Sequence, residues 1–430
     1  MRLAMKASAS SAGGFAAVQG LRLIQQLWIA NKIGVADYGR VGLISVVVMG
    51  LGLLSEIGIT QNIVQSRRGD DPEMLDTAYS INALRGVGLW LIAALLAVPT
   101  GWFYNDPGLA LMLLVAASSL AIRGFMSSAV WTLTRHVQVH KLTILNVVSE
   151  VVGLVAALAW VSKDPSAWAL IVGTVAASCV YTLGSYFLGR RPRFGFSAGA
   201  ARELISFGSW LLISTATYFA ASQAERLALG KFVSKDDLGN FTMAFFMASA
   251  PTRAINQLVE QVFFPMIARL CREDKPRSLL QFRRAKWVSL ALAVGASGVC
   301  ILGGPFAVSV LTPGYQQAGW MLQLLGFRAA IEILTGATVN MLFANGHTKF
   351  AGVSNVVRLC ILVPGLWIAL SQYGMREAVW VLALAPLAAY AVTIHAVYRH
   401  LRDVLQVEVV SMAVLLFASA VFGVLYAVFF

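Results

Sequence analysis

The chain has 430 residues, 58% of them hydrophobic and 12% charged, with a mean hydropathy of +0.73. A soluble domain carries about 25% charged residues, so this composition leaves too little polar surface to coat a water-soluble body. The formal charge of +13 invites a nucleic-acid reading, which the placement of the charges argues against.

Apolar runs follow one another at about 12–30, 41–64, 79–102, 108–133, 144–161 and 167–188. A second series lies at about 204–229, 239–267, 287–311, 318–343, 350–370 and 377–398, and a last run at about 409–430 ends the sequence. Each approaches the length of about 20 residues that a helix needs to cross about 30 Å of hydrocarbon. The alternating strands of about 10 residues that mark a membrane β-barrel are absent. Breakers separate the runs: Asn105-Asp-Pro-Gly108, Lys163-Asp-Pro165, Thr312-Pro-Gly314 and Asn345-Gly346. Met1 to Lys6 is basic but leads into Ala, Ser and Gly, and reads as a short cytoplasmic lead rather than a signal peptide. Pro251, Pro364, Pro386 and the Gly303-Gly-Pro305 stretch predict kinks or local unwinding. Cys179, Cys271, Cys300 and Cys360 have no paired spacing, so neither a disulfide framework nor a metal site is expected, and no cofactor.

Lysines and arginines in short loops set topology. With the N-terminus cytoplasmic, the inner loops hold Arg67, Arg68, Arg135, Lys141, Arg190, Arg191, Arg193 and Arg202. They also hold the basic group from Arg269 to Lys286, then Lys349, Arg399 and Arg402. The outer loops offer only Lys32, Arg40, Lys163, Lys231, Lys235 and Arg376. The surplus charge therefore faces anionic headgroups, which makes the membrane, not nucleic acid, the partner.

The sequence also echoes itself. Asp37 and Gly39 recur as Asp237 and Gly239, each before an apolar helix, and Lys141 with Asn146-Val-Val148 recurs as Lys349 with Asn355-Val-Val357. Two matches in the same order predict a duplicated six-helix unit. An even number of spans between the copies makes the repeats parallel. The expected fold is an all-α integral membrane protein with lobes at residues 1–190 and 191–402 and a thirteenth helix at 403–430.

Seven arginines fall within the predicted spans: Arg22, Arg85, Arg123, Arg226, Arg253, Arg328 and Arg358; no lysine does. An intramembrane charge costs at least about 2.5–3.5 kcal/mol and so faces a partner or a cavity. Glu225 adjoins Arg226, Glu332 lies four residues beyond Arg328, and Glu56, Glu150 and Glu260 offer further partners. Ion pairs that fix packing are the simpler reading of any single arginine. The excess of arginine over glutamate points instead to an anion, since guanidinium grips phosphate with a two-pronged fork.

Several stretches resemble a known family. Phe207-Gly-Ser-Trp210, Tyr218-Phe219, Glu225-Arg226, Leu229-Gly230, Leu238-Gly239, Ala244, Pro251 and Phe264-Pro265, with Ile33-Gly34, Asp37-Tyr-Gly39, Glu56-Ile-Gly58 and Gln61, carry the likeness. It is to the polysaccharide-biosynthesis branch (Wzx-like oligosaccharide flippases) of the multidrug/oligosaccharidyl-lipid/polysaccharide exporter superfamily. The chain departs from it at Glu225 and Phe241, where the family commonly has Asp and Tyr, and Thr134-Arg-His136 matches its Gln-Arg-Glu-like run only loosely.

The resemblance implies two lobes around a central cavity. It also implies transfer of polyprenyl-pyrophosphate-linked repeat units from the cytoplasmic to the periplasmic face of a bacterial inner membrane, by alternating access, for O-antigen or exopolysaccharide synthesis, alongside polysaccharide polymerase machinery. On that basis Arg22, Arg123, Arg253, Arg328 and Arg358 are the expected headgroup contacts, with Glu56, Glu150 and Glu332 as balancing or ion-coupling groups. The rivals are an ion-coupled drug or cation antiporter on the same fold, which would want acids in excess, and a flippase for the peptidoglycan precursor. A membrane-embedded polymerase or glycosyltransferase would usually need a sizeable extramembrane loop bearing acids or histidines. The five histidines (His136, His140, His347, His395 and His400) lie at cytoplasmic joints or near span ends.

Overall fold

The computed structural model describes residues 18–204 (apart from 56, 57, 67 and 137), 219, 223, 225–258, 267, 270, 271, 275–345 and 349–429. Among the described residues the regular structure is helical, without strands. The first helices are α1 (18–30), α2 (Val35–Leu54), α3 (Ile59–Gln65), α4 (Pro72–Phe103), α5 (Gly108–Gly124), α6 (Ala129–Arg135), α7 (Val139–Val161) and α8 (Trp168–Ser185). They are followed by α9 (Lys235–Leu258), α10 (Lys275–Leu311), α11 (Ala318–Ala344), α12 (Lys349–Gln372), α13 (Met375–His400) and α14 (Arg402–Phe429). Residues 198–204 and 225–232 are also helical. Among the described residues nine helices are long and apolar enough to cross a membrane, or ten with α5 and α6 taken as one bent span. This is a multi-pass membrane protein.

The chain divides into two compact units, Met1–Leu227 and Ala228–Phe430. In the first, α4 packs on α5, α7 on α8, and α5 on α8 and α2. In the second, α10 packs on α11 and α14, α11 on α9 and α13, and α12 on α13.

Helix starts follow local chemistry. Asp71 caps α4 by accepting from the Glu73 N–H at 3.1 Å, with Pro72 in the first turn. Ser234 accepts from the Asp237 N–H at 3.1 Å and donates to its carboxylate at 2.7 Å, closing the first turn of α9. The joint that precedes α5 and the one that precedes α11 are built alike. Arg40, on the second turn of α2, reaches Asp106 at 2.7 Å just before α5, and also holds Asp37 at 2.7 Å. Asn240, on the second turn of α9, accepts from the Ala318 N–H at 3.1 Å at the start of α11. Residues 40 and 240 stand at the same offset as Asp37 and Asp237.

The unwinding allowed for at the prolines does not occur: α9, α10, α12 and α13 run on through Pro251, Pro305, Pro364 and Pro386. A proline removes one ladder bond, whereas unwinding in hydrocarbon would strip several backbone groups at once. The break comes instead between α5 and α6, where the axis turns by 64° without a proline. Neighbouring side chains take over the freed backbone groups. Asn82 donates to the Gly124 carbonyl at 2.8 Å, Thr182 to that of Ile122 at 3.0 Å and Tyr186 to that of Phe125 at 2.6 Å. The Ser127 N–H donates to Ser185 Oγ at 2.8 Å. Gly86 and Gly124 let α4 and α5 touch backbone to backbone, since a Cβ on Gly86 would lie 2.8 Å from the Gly124 Cα.

One expectation is overturned. Lys286, placed on sequence in the cytoplasmic loop before a run at 287, lies inside α10 and is fully buried, so a lysine does sit within a span. The reason is a tertiary partner: Glu408 on α14, equally buried, sits 2.7 Å from its ammonium. Paired, the two charges can be enclosed where either alone would be very costly.

Candidate functional site

In the first unit α1 carries Arg22 and α7 carries Glu150. Both Nε (3.0 Å) and Nη2 of Arg22 address a single oxygen of Glu150. Arg123 stands in the last turn of α5, directly before the 64° break. Its Nε donates to Ser178 Oγ at 3.2 Å, and its guanidinium lies 5.3 Å from the centroid of the Tyr181 ring, both residues on α8. The charges of Arg22 and Glu150 both act on it. Arg123 remains exposed, so its fork is free to take an acceptor. The break in the helix therefore places a guanidinium beside an existing ion pair.

In the second unit the cluster is tighter. Arg328 and Glu332, one turn apart on α11, form a 3.1 Å hydrogen-bonded pair. The Arg328 guanidinium also lies 5.4 Å from the Phe245 ring of α9. Arg358 of α12 brings Nη2 to 3.2 Å from the same Glu332 oxygen. That approach is close enough for charge pairing but lacks hydrogen-bond alignment, and the Nε is likewise buried without an acceptor. Glu332 keeps 30% of its side chain open.

Each unit thus assembles two guanidiniums, one carboxylate and one aromatic ring. The carriers differ: in the first unit α1 and α5 supply the arginines and α7 the glutamate, whereas in the second α11 supplies both Arg328 and Glu332 and α12 supplies Arg358. Both clusters are one positive charge in excess, an arrangement that attracts an anion with several oxygens.

Other expected residues lie elsewhere. Arg253 on α9 sits against Phe246 of its own helix, with Nη2 3.5 Å from the carbonyl and the guanidinium 5.3 Å from the ring centroid. Glu56 and Glu260 lie outside the described residues. Arg85 donates to Ser55 Oγ at 3.1 Å and to the Gly52 carbonyl at 2.9 Å, capping the C-terminal end of α2. Sequence reasoning missed the buried Lys286–Glu408 pair. The available signal was weak: each residue borders an apolar run and reads as an ordinary span end.

Outside the spans, Arg135 caps α3, donating to the carbonyls of Ile63 (2.6 Å), Val64 (3.1 Å) and Ser66 (2.7 Å). The adjoining Asp70 is held below the usual carboxylate range by its 2.8 Å hydrogen bond to His136, and then by Arg135 at 2.9 Å. Asp71 is lowered in the same way by Arg68 at 2.7 Å. Among the described residues no group of three or more His, Cys, Asp or Glu could hold a metal ion.

With this geometry in hand, comparison with known proteins gives a consistent result. A family model described as polysaccharide biosynthesis protein matches residues 30–318. The lipopolysaccharide biosynthesis protein WzxC of Escherichia coli (strain K12) is 20% identical over 358 residues, covering 83% of this chain and 73% of that protein. Among solved structures, lipid II flippase MurJ in an inward closed conformation matches with a TM-score of 0.72 at 11% identity, over 98% of this chain and 97% of the other. An inward-facing multidrug resistance MATE family transporter of the MOP superfamily matches with a TM-score of 0.69 at 13% identity, over 89% and 94%. At such identities the structural matches establish the fold, which is that of MOP-superfamily transporters.

Proposed function

We propose, from the premise that this chain belongs to the polysaccharide biosynthesis protein family, that it flips polyprenyl-pyrophosphate-linked oligosaccharide units. The direction is from the cytoplasmic to the periplasmic face of a bacterial inner membrane, by alternating access, for surface polysaccharide synthesis. One observation carries the reading: each unit gathers two arginines around a single glutamate (Arg22, Arg123 and Glu150; Arg328, Arg358 and Glu332), leaving positive charge inside a span-forming bundle. A pyrophosphate diester supplies about two negative charges and a ring of acceptor oxygens, which matches guanidinium forks. The names of the relatives, a lipopolysaccharide biosynthesis protein and a lipid II flippase, point to the same class of cargo.

In this mechanism each unit offers a headgroup the fork with least competition from glutamate, Arg123 in the first and Arg358 in the second, while the polyprenyl tail stays in lipid. Arg22 and Arg328 keep the glutamates neutralised, and Arg253 is the further headgroup contact expected of α9. Glu56 serves with Glu150 and Glu332 as a balancing or coupling group. The N-terminus is cytoplasmic, residues 1–190 and 191–402 are the two lobes with 403–430 added, and polymerase machinery receives the product. Moving about two negative charges out of a negative interior gains about 4–5 kcal/mol per 100 mV. The step is transport, with no catalytic chemistry in the chain.

The second reading is an ion-coupled drug or cation antiporter, for which the MATE match supplies the fold. The positive surplus of both clusters disfavours it. Sealed vesicles holding the purified protein and a lipid-linked oligosaccharide, probed with a non-permeant glycan-modifying reagent, separate the two. Protein-dependent exposure of the glycan supports flipping. A static glycan with a cation moving against a gradient transfers the role to the antiporter.

A further inference from the structure

The buried Lys286 is unused by the flipping mechanism, and its surroundings are those of an ion site. Three oxygens converge on the ammonium: Glu408 Oε2 at 2.7 Å, Thr338 Oγ1 at 2.7 Å and the Leu334 carbonyl at 2.9 Å. A carboxylate, a hydroxyl and a backbone carbonyl are the ligand types that hard cations take from proteins. The three N–H donors of an ammonium meet these three acceptors one to one. The shell behind them is also complete. Thr338 Oγ1 donates to Glu408 Oε1 at 2.7 Å, and the Tyr390 hydroxyl lies 3.1 Å from Oε2 and 2.9 Å from the Glu408 carbonyl. The Tyr390 ring centroid stands 5.8 Å from the ammonium.

We propose that Lys286 fills a preformed monovalent-cation site with a tethered cation, and that this occupied site docks α14 onto α10, α11 and α13. Three features favour this over an incidental ion pair. Lys286 and Glu408 are both fully buried, so water solvates neither charge. The three oxygens come from α11 and α14, while α10 supplies only the ammonium and α13 the Tyr390 ring and the hydroxyl that bonds Glu408, so none of the ligands belongs to the helix that carries the lysine. The neighbouring core drawn from the same four helices (Leu290, Ile331, Leu334, Tyr390, Met412 and Leu415) is apolar, so apolar packing alone could join them. A positive charge at this point is an added requirement for assembly. Because the chain carries that charge covalently, its assembly does not depend on the salt around it. The inference stands apart from the flippase reading.

Thermal unfolding of the purified full-length chain in lipid nanodiscs, in sodium chloride and in choline chloride at equal ionic strength, tests the proposal. The wild type should melt at the same temperature in both salts. Lys286→Ala should melt several degrees lower in choline, whose cation is too large to enter, and regain part of the loss in sodium. The double variant Lys286→Ala/Glu408→Gln should lose the sodium response. A folded Lys286→Ala that melts at one temperature in sodium, lithium, potassium and choline overturns the proposal. If Lys286→Ala does not fold in any salt, Lys286→Gln decides, because its neutral amide keeps most of the reach. A wild-type melting temperature for it overturns the cation requirement. A drop that adding Glu408→Gln reverses supports it, and a drop that persists in the double variant overturns it.

Discussion

Arg328 and Arg358 share Glu332 on unequal terms, and the inequality has consequences. Arg328 holds an aligned hydrogen bond at 3.1 Å, whereas Arg358 approaches at 3.2 Å with two buried nitrogens left without acceptors. Replacing Arg358 with Ala leaves the Arg328–Glu332 pair intact, so the protein should keep its melting temperature. It should nonetheless lose roughly 10- to 100-fold in flipping rate, the worth of a charge-assisted hydrogen bond of about 1.5–3 kcal/mol. Full transport by Arg358→Ala in the vesicle assay would remove this residue from the site. Arg328→Ala should lower transport and melting temperature together, because it breaks the better-buried pair. At the α3–α4 turn the carboxyl of Asp70 ionises below its usual range through His136 and Arg135. Its stabilising share is therefore present above the ordinary carboxylate value of about 3.9 and is lost as pH falls through the lowered one. The melting-temperature difference between wild type and Asp70→Asn should accordingly shrink as the buffer is taken below that range; a difference that grows on acidification would contradict the pairing.

Among the helices, the α5–α6 break and the docking of α14 depend on specific side chains. The break holds its 64° turn because Asn82, Thr182 and Tyr186 accept the role of missing helical donors. It holds its place because Gly86 and Gly124 meet without side chains. Gly86→Val would drive a Cβ to 2.8 Å from both the Gly124 Cα and the Leu120 carbonyl. Neither is a flexible side-chain end, so α4 and α5 must part. We expect a loss of about 1–3 kcal/mol, read as a lower melting temperature, with reduced flipping because Arg123 is carried on the displaced turn. For α14, Tyr390→Phe removes the hydroxyl partner of Glu408 and leaves a buried acceptor under-satisfied, at a cost of about 1–3 kcal/mol. An unchanged melting temperature for that variant would show the hydroxyl to be dispensable.

For the whole molecule, the two units repeat a recipe of two arginines to one glutamate, spread differently over their helices. Each remains one positive charge in excess, so the membrane potential should act on the cargo rather than on a cation. Vesicles energised with a potassium diffusion potential, negative on the side from which the substrate starts, should accumulate flipped lipid-linked oligosaccharide, and reversing the potential should suppress it. Insensitivity to the potential would mean that the cargo moves with its charge neutralised by a co-transported ion.

The membrane-spanning character, the helix order, the joints near Asn105–Gly108 and Thr312–Gly314 and the pairing of Arg328 with Glu332 were legible in the sequence. These features are local: run length, turn residues and an i, i+4 spacing act through neighbours along the chain. The Arg22–Glu150 pair, the sharing of Glu332 by Arg358, the capping role of Arg85 and the burial of Lys286 against Glu408 were decided by the tertiary structure alone. So was the placing of the helix break at Phe125–Ser128 instead of at a proline. Whether a charge inside a membrane protein is an anchor, a cap or a free fork depends on which distant side chain the packing brings within about 3 Å, and spacing along the chain does not encode that distance.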